Sequence, residues 1–420
     1  MQIVPIQHPL HATVRVPGSK SLTNRALLIA SLANGKTHLT NALFSDDSCY
    51  FARALQTLGF DVELGDGNQE MTVAGLGGDI PARQAELFIG NAGTAARFLT
   101  AFLTLGRGEY TLDGDPRMRE RPIGDLIDAL AQLGAQVEAE QDCPPVRVKA
   151  SGLPGGHTRV AGSLSSQFLS ALLMVSPYAA SAVEIEVVTE LNSKPYVDMT
   201  LAIMQEFGVG VEREGYERFT LRPSVYSPVP SYVIESDASA ASYFFAAPVI
   251  CGGTVRVENI SRASKQGDIA FLDILQQMGC TIEEGDRFIE VTGVGTLLGV
   301  DIDMGDIPDT AQTLAAIAPF ASSPTRIRGI ASARRKETDR VYATCTELSR
   351  LGVPVDEHDD GMTIYPAKDI LPATIQTYND HRMAMAFSLI GLKVPGITIE
   401  NPSCVSKTFP NFFDVLETLR

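Results

Sequence analysis

The stretch LQTLGFDV, residues 55–62, recurs four more times along the chain with the same arrangement of residue types. In each copy a helical pattern ends in a large apolar residue and a glycine, and Val or Ile follows three positions later. The other copies are LAQLGAQV (130–137), MQEFGVGV (204–211), LQQMGCTI (275–282) and LSRLGVPV (348–355). Their glycines, Gly59, Gly134, Gly208, Gly279 and Gly352, are separated by 75, 74, 71 and 73 residues. This period indicates a repeated structural unit.

Each of these glycines fits the position just after a helix end, where a left-handed conformation is needed. An alternating strand, a polar turn and a second strand follow each one. The second strands are predicted in MTVAG, VRVKASG, FTLRPS, FIEVTG and MTIYP. A sixth helix, FFDVLETLR, ends the chain where a sixth glycine would fall, and residues 2–16 are expected to supply its missing strand. The two chain ends would then belong to one domain.

A second series of helices alternates with the first and is apolar on most faces, which predicts that these helices are buried. They start near Ser21, Thr94, Ser165, Asp237, Asp309 and His381, at intervals of 73, 71, 72, 72 and 72 residues. The unit is therefore strand, buried helix, strand, amphipathic helix and two strands, an α/β pattern. Six units fill the chain, three to a domain, and the cluster of Ser and Pro around Pro230 marks the division.

Composition excludes several classes of partner. The 420 residues include 34 Lys and Arg against 50 Asp and Glu, a net charge of −16 that repels nucleic acid and anionic membranes. An anionic ligand would need a local group of cations. No apolar run approaches the ~18 residues of a membrane span, and the first residues do not resemble a signal peptide, so a cytoplasmic protein is expected. The six cysteines lack CxxC spacing, which argues against a zinc site or a disulfide framework.

The starts of the buried helices carry the residues that could bind a ligand or take part in catalysis. Helix N-termini have unpaired N–H groups and attract anions. In the first half these starts are GSKSLTNR (18–25), GNAGTAAR (90–97) and GSLSSQF (162–168). In the second half they carry Asp237, Asp309 and the run 380–382, Asp-His-Arg. The first half is suited to phosphate binding, and the second also to proton transfer.

Each motif alone has a simpler interpretation. GSKS lacks the spacing of a P-loop, which disfavours an NTPase, and NAGT and SLSSQ also fit ordinary helix caps. The charged run RRKETDR, residues 334–340, is predicted to begin an amphipathic helix with Lys336 and Arg340 one turn apart. Such a run also fits a solvated helix face.

Taken together, the motifs resemble the 5-enolpyruvylshikimate-3-phosphate (EPSP) synthase family. They are PGSKSLTNRALL, GNAGTAAR, ERPIGDL, GSLSSQFLSALL, SKPYVDMT, DASAASYFFAA, QGDI, IPDTAQT, RRKETDR, YNDHRMAM and SKTFPNFF, in this order over the whole chain. The resemblance implies two lobes that close on substrates, each an inside-out α/β barrel of three βαβαββ units. Residues 1–18 and 235–420 would form one lobe, with the phosphoenolpyruvate-side and acid/base residues. Residues 19–234 would form the lobe that binds most of shikimate 3-phosphate.

The resemblance also implies a reaction. The family transfers the enolpyruvyl group of phosphoenolpyruvate (PEP) to the 5-hydroxyl of shikimate 3-phosphate by addition and elimination, releasing phosphate, as a step of aromatic amino acid biosynthesis. No metal or organic cofactor is implied, and a monomer is expected. Both substrates are phosphorylated carboxylates, which accounts for the local Arg and Lys residues in an acidic chain.

The family's binding residues fall on matching positions of this sequence. PEP would be bound by Lys20, Gly93, Thr94, Arg121, Gln167, Arg340, Arg382 and Lys407. Shikimate 3-phosphate would be bound by Lys20, Ser21, Arg25, Ser165, Ser166, Gln167, Ser193, Tyr196, Asp309, Ser332 and Lys336. Arginine suits bidentate contacts with carboxylate and phosphate, and lysine supplies a point charge.

The catalytic residues implied by the resemblance are Asp309, Glu337, Lys20 and His381. Asp309 is the candidate base at the 5-hydroxyl, Glu337 the candidate for proton transfer at C3 of PEP, and His381 a candidate donor to the leaving phosphate. Two carboxylates in a cationic pocket can divide acid and base roles if their environments separate their pKa values. The simpler alternatives are a helix cap for Asp309 and a helix ion pair with Arg340 for Glu337.

The chain departs from the family at two positions. Phe98 stands where many members have Pro, and Ser332 where some relatives have Asn. Glyphosate, the family's known inhibitor, occupies the PEP site, and Gly93 predicts room for it. One rival is UDP-N-acetylglucosamine enolpyruvyltransferase, whose reactive Cys loop has no match in DGDPRMRERPIG. Another is a catalytically silent phosphate-binding protein, which would not require the two carboxylates.

Overall fold

The computed structural model describes residues 1–65, 67 and 69–420, which divide into two compact units. Unit 1 comprises Met1–Pro17 and Glu235–Arg420, and unit 2 comprises Gly18–Ile234. The first strand, β1 (Leu10–Arg15), belongs to unit 1. Each unit has its own hydrophobic core.

Unit 2 is built from three copies of the unit expected from the sequence. Its helices are α1 (Lys20–Leu32), α2 (Asp46–Thr57), α3 (Gly93–Leu103), α4 (Gly124–Gln132), α5 (Ser166–Val175) and α6 (Lys194–Glu206). Its strands are β2 (Asn34–Thr40), β3 (Asp61–Gly65), β4 (Glu70–Leu76), β5 (Gln84–Phe88), β6 (Arg107–Asp113), β7 (Gln136–Ala139), β8 (Val146–Ser151), β9 (Gly156–Val160), β10 (Val183–Val187), β11 (Glu212–Glu214), β12 (Arg218–Leu221) and β13 (Ser231–Val233). They form sheets of order β13-β2-β4-β3, β5-β6-β8-β7 and β9-β10-β12-β11.

Unit 1 repeats this plan with a shortened last copy. Its helices are α7 (Ala238–Cys251), α8 (Phe271–Gln277), α9 (Ala311–Ile317), α10 (Arg340–Arg350), α11 (His381–Lys393) and α12 (Phe412–Glu417). Its other strands are β14 (Gly253–Glu258), β15 (Thr281–Gly285), β16 (Phe288–Thr292), β17 (Asp301–Asp303), β18 (Thr325–Arg328), β19 (Val355–His358), β20 (Gly361–Ile364), β21 (Thr374–Ile375) and β22 (Thr398–Ile399). The sheets have the orders β1-β14-β16-β15, β17-β18-β20-β19 and β21-β22.

The same strand directions recur in the four-stranded sheets. The first two strands run parallel and the remaining pairs antiparallel, as in β5, β6, β8 and β7. A parallel pair needs a crossover, and where both strands belong to one continuous copy the buried helix supplies it, as α3 does between β5 and β6. The apolar helices α1, α3 and α5 of unit 2, and α7, α9 and α11 of unit 1, are almost entirely inaccessible to solvent. Helices rather than strands therefore fill the centre of each unit.

The five repeat glycines have the conformation expected of them. Their φ angles lie between 75° and 106°, and each directly follows the C-cap residue of an amphipathic helix. A residue with a side chain is strained in this region. The glycine period therefore marks the point in each repeat where the chain leaves the helix for the next strand.

The prediction for the N-terminal residues is only partly correct. Gln2 bridges Thr398 of β22, so the first residues do extend the sixth copy. Strand β1, however, pairs in parallel with β14 and completes the fourth copy. The first copy in turn takes its first strand from β13, which pairs with β2. None of the helices in the described residues is both long and apolar enough to cross a bilayer.

Candidate active site

Asp309 lies in a 3₁₀ helix, Pro308–Thr310, directly before α9. Its carboxylate accepts hydrogen bonds from Lys336 Nζ at 2.5 Å and from Arg382 Nη2 at 2.7 Å. Arg340 Nη1 donates a third at 3.1 Å. Burial would raise the pKa of Asp309, but the three cations outweigh it and hold that pKa well below its ordinary value. Asp309 is therefore an ionised carboxylate enclosed by cations.

The prediction that residues 334–340 begin an amphipathic helix is wrong. A 3₁₀ helix, Ala331–Arg335, ends before Lys336, and α10 begins only at Arg340. Asp339, which caps α10, sets this start. Lys336 and Arg340 do not share a helical face, but both contact the Asp309 carboxylate. Burial lowers the pKa of Lys336. The Asp309 carboxylate acts in the opposite direction but does not outweigh burial.

Glu337 lies in the short loop before α10 and is largely buried. Its Oε2 accepts a hydrogen bond from Arg340 Nη2 at 2.8 Å, and its Oε1 lies 3.8 Å from Lys407 Nζ. Lys407 ends the 3₁₀ helix Pro402–Lys407 and is itself buried. The pair with Arg340 exists, but it lies outside the helix and Glu337 also faces a second cation. A simple helix ion pair does not describe it.

The cap interpretation of Asp309 is wrong as well. The cap position of α9 is Thr310, and no capping hydrogen bond from a side chain is present there. Ser332 lies in the 3₁₀ helix Ala331–Arg335 and is half-buried. Unlike Lys336, it makes no hydrogen bond to Asp309 within the described part of the chain.

Asp380, which the sequence indicated only as part of the run 380–382 and without a role, belongs to the group of charged side chains around Asp309, because Arg340 contacts both carboxylates. It is completely buried and caps α11, accepting a hydrogen bond from the Arg382 backbone N–H at 2.9 Å. Arg340 Nε donates to its other oxygen at 2.7 Å. Burial lowers the pKa of Arg340, but Asp380 and two further carboxylates outweigh it and raise that pKa. His381 Nδ1 lies 3.5 Å from Asp380 Oδ1. The available signal was its place directly before a buried helix, which does not show that Asp380 also pairs with Arg340.

Asp268 is a second residue that was missed, although it belongs to the quoted motif QGDI. It lies in the 3₁₀ helix Gly267–Ala270 and is buried. The Ser239 hydroxyl of α7 donates a hydrogen bond to it. Burial, reinforced by the negative charge of Asp309, raises the pKa of Asp268 to about 6. Asp268 and Asp309 thus have pKa values shifted in opposite directions.

In unit 2, Lys20 is the first residue of α1, which Ser19 caps. Its Nζ lies 3.4 Å from Oδ2 of Asp47, a buried residue on α2. The ammonium group is therefore held at the start of α1 by a carboxylate that the sequence did not reveal.

Arg25 lies one turn after Ser21 on α1 and is almost entirely buried. Its Nε donates to Thr200 Oγ1 at 2.7 Å, its Nη1 to the Ser21 carbonyl at 3.0 Å and its Nη2 to the Tyr196 carbonyl at 3.1 Å. Burial lowers the pKa of Arg25 to about 10. The guanidinium carbon lies 5.1 Å from the centre of the Phe98 ring.

The remaining residues predicted for shikimate 3-phosphate begin α5 and α6. Ser165 caps α5 by accepting a hydrogen bond from the Gln167 N–H at 3.3 Å, and Ser166 is the first residue of that helix. Ser193 precedes α6 with a left-handed φ of 58°, and Tyr196 lies in its first turn. Helix α6 packs against both α1 and α5. Unit 2 therefore brings these residues together with Ser21 and Arg25 at neighbouring helix starts.

Gly93 and Thr94 begin α3, as expected. Arg121 donates to the side chain and the carbonyl of Asn91, both at 3.0 Å, which anchors it beside this helix start. A Cβ atom at Gly93 would lie 2.4 Å from Arg121 Nη2. Gly93 therefore permits the observed position of the Arg121 guanidinium.

Within the described residues, no group of three or more His, Cys, Asp or Glu side chains is arranged to hold a metal ion. The charged group around Asp309 in unit 1 offers cations, carboxylates and an imidazole, and the helix starts of unit 2 offer cations, hydroxyl groups and helix N-termini. Such groups bind anions and transfer protons.

The comparisons with known proteins agree on one family. Residues 4–416 match the family model described as EPSP synthase (3-phosphoshikimate 1-carboxyvinyltransferase). The 3-phosphoshikimate 1-carboxyvinyltransferase of Trichormus variabilis is 51% identical over 410 residues, covering 97% of this chain and 96% of that protein. The enzyme of the same name from Shewanella denitrificans is 52% identical over 404 residues, covering 95% and 94%. A solved EPSP synthase from Acinetobacter baumannii superposes with a TM-score of 0.84 at 26% identity, covering 100% of this chain and 97% of the other.

Proposed function

The chain belongs to the EPSP synthase family, and on that premise we propose which of its residues carry the reaction. The reaction is the transfer of the enolpyruvyl group of PEP to the 5-hydroxyl of shikimate 3-phosphate. C3 of PEP gains a proton, the hydroxyl oxygen bonds to C2, and the tetrahedral adduct then loses phosphate and a C3 proton. The protein must therefore hold two trianionic substrates, accept a proton from oxygen, and both donate and remove one at carbon.

The observation that carries the proposal is the contact of one carboxylate, Asp309, with three cations at 2.5, 2.7 and 3.1 Å. Substrate phosphate and carboxylate groups would compete with Asp309 for Lys336, Arg340 and Arg382. Each cation withdrawn from Asp309 raises its pKa. Substrate binding would thus convert a weakly basic carboxylate into a base suited to the 5-hydroxyl proton.

We assign PEP to the residues best suited to its two acidic groups. They are Lys20, Gly93, Thr94, Arg121, Gln167, Arg340, Arg382 and Lys407. The three arginines provide bidentate donors for carboxylate or phosphate, and the two lysines provide point charges. Gly93 and Thr94 contribute N–H groups of the first turn of α3, which suit an anion.

We assign shikimate 3-phosphate mainly to unit 2. Its ligands there are Lys20, Ser21, Arg25, Ser165, Ser166, Gln167, Ser193 and Tyr196, and those from unit 1 are Asp309, Ser332 and Lys336. The hydroxyl groups at the starts of α1, α5 and α6 suit the ring hydroxyls and phosphate oxygens of this substrate. Unit 1 supplies most of the acid and base groups.

Glu337 is the proposed carrier of the proton at C3 of PEP, and Arg340 and Lys407 fix its position. His381 is the proposed proton donor to the departing phosphate. Lys20 is proposed to stabilise the charge that accumulates on phosphate as it leaves. Glyphosate competition with PEP, a monomeric state and a cytoplasmic location stay predictions of the family resemblance.

The test is phosphate release with both substrates present, compared with each substrate alone. Asp309→Asn and Glu337→Gln should each lower kcat by roughly 100-fold or more, the size of a lost proton-transfer step. Calorimetric titration should show that both variants still bind shikimate 3-phosphate. Asp301→Asn, a change in an exposed carboxylate of unit 1, is the control and should leave kcat within about twofold.

Two results would contradict the proposal. If Asp309→Asn and Glu337→Gln both kept full turnover, these carboxylates would not move the protons. If neither variant bound shikimate 3-phosphate while remaining folded, their roles would lie in binding.

A further inference from the structure

Arg25 has an unusual environment for a buried cation. It is 1% exposed, and its hydrogen-bond acceptors are two backbone carbonyls and two hydroxyl groups. No carboxylate contacts it among the described residues. Buried charges are normally paired, because removing an unpaired ion from water is costly. A guanidinium has five N–H groups. Four of them donate to these acceptors, so one N–H of Nη1 remains for a ligand.

The electron-rich face of the Phe98 ring offsets part of the cost of burying the Arg25 charge without a carboxylate partner. The guanidinium carbon lies 5.1 Å from the ring centre, within the range of a cation–π contact. Phe98 is completely buried on α3, so water does not weaken the attraction.

We propose that Phe98 is a positioning residue for shikimate 3-phosphate binding, which fixes the Arg25 guanidinium for an anionic group of the substrate. The proposal rests on the proposed function, in which Arg25 binds this substrate. Hydrogen bonds to Thr200 Oγ1 and to the Ser21 and Tyr196 carbonyls hold the guanidinium along its edge. The Phe98 ring holds it from one face. The substrate anion would supply the counter-charge that the protein lacks.

A matched control separates this role from ordinary core packing. Phe102 is also completely buried on α3, one turn beyond Phe98. Its ring packs against Phe60, with ring centres 5.7 Å apart, and not against a cation. Replacing either phenylalanine with leucine removes the same atoms from the same helix, but only one change removes the aromatic face from Arg25.

The experiment measures the dissociation constant of shikimate 3-phosphate by calorimetry and the steady-state constants by phosphate release. We expect Phe98→Leu to weaken shikimate 3-phosphate binding roughly tenfold, the size of a desolvated cation–π contact. We expect kcat at saturation and the KM for PEP to change by less than about threefold, and Phe102→Leu to leave the dissociation constant within about twofold. If Phe98→Leu fails to fold, Phe98→Met gives the same test, because the longer and more flexible methionine side chain can fill the space of the ring without an aromatic face.

Variants of Arg25 distinguish failure of this inference from failure of the proposed function. In an Arg25→Gln background, Phe98→Leu should have little further effect on binding, because no cation remains for the ring. Additive effects, or equal losses in Phe98→Leu and Phe102→Leu, would overturn the positioning role. If Arg25→Gln itself bound shikimate 3-phosphate normally, the assignment of Arg25 as a ligand would be wrong, whatever Phe98 does.

Discussion

The Arg382 guanidinium donates a hydrogen bond of 2.7 Å to Asp309, a residue 73 positions earlier in the chain. The separation is close to one repeat, and both residues lie at the start of a buried helix of unit 1. The repeated architecture therefore brings equivalent positions of successive copies together. Arg382 thereby joins Lys336 and Arg340, which come from the loop before α10 and from its first residue, around one carboxylate of a chain whose net charge is −16.

Arg382→Lys tests this contact. Lysine retains the charge but loses the planar fork that reaches Asp309, so we expect the KM for PEP to rise roughly tenfold or more. The affinity for shikimate 3-phosphate alone should change little. The control is Arg328→Lys, because Arg328 also donates to an aspartate, Asp301, at 2.7 Å, but at the surface. An unchanged KM in Arg382→Lys would contradict the assignment of Arg382 to PEP.

Gly93→Ala tests the close approach of α3 to Arg121. The added methyl group would lie 2.4 Å from Arg121 Nη2, so the guanidinium would have to move. We expect the KM for PEP to rise several-fold, with little change in the affinity for shikimate 3-phosphate. Gly295→Ala is the control, because among the described residues, its two chain neighbours apart, no atom lies within 4 Å of a Cβ at that position. Equal behaviour of the two variants would mean that Arg121 does not depend on Gly93.

Asp380→Asn tests the contribution of the Asp380 charge separately from its role as the N-cap of α11. Asparagine caps a helix about as well as aspartate, so α11 should keep its start. The buried Arg340 loses one of its carboxylate partners, which should destabilise the protein by about 3 kcal/mol. Asp339→Asn, at the cap of α10, breaks the more exposed pair with Arg334 and should cost less than about 1 kcal/mol. Urea midpoints and slopes would measure both, and equal losses would contradict the importance of the buried charge.

The sequence predicted those features that depend on neighbouring residues. Gly59 and its four equivalents mark helix ends because left-handed backbone is a local requirement, and the buried helices are apolar over whole turns. The start of α10 was misplaced because charge spacing alone does not reveal that Asp339 serves as the cap. Asp380 and Asp268 lie in quoted motifs but received no role, because their importance comes from Arg340 and Asp309. These partners lie about 40 residues away in sequence, and such contacts leave no local pattern.

The opposite pKa shifts of Asp268 and Asp309 predict a pH-dependent effect of Asp268→Asn on stability. The pKa of Asp268 is raised from 3.8 to about 6 in the folded protein, chiefly by burial and by the charge of Asp309. Between these pH values the folded chain binds a proton that the unfolded chain has released. Asp268 therefore contributes stability at low pH, and this contribution is lost as the pH rises towards 6. Above that pH the buried carboxylate is ionised at a cost.

Asparagine at position 268 would stay neutral and keep an oxygen that accepts from Ser239, so the variant should gain stability relative to the parent as the pH rises. We expect the difference in unfolding free energy to grow by about 1 kcal/mol between pH 5 and pH 7.5. Asp309 does not disturb this window, because its lowered pKa confines its own loss of stability to pH values below 3.8. Urea unfolding at both pH values measures the difference. A difference that stays constant would show that Asp268 is already ionised at pH 5 in the folded protein and would contradict the raised pKa.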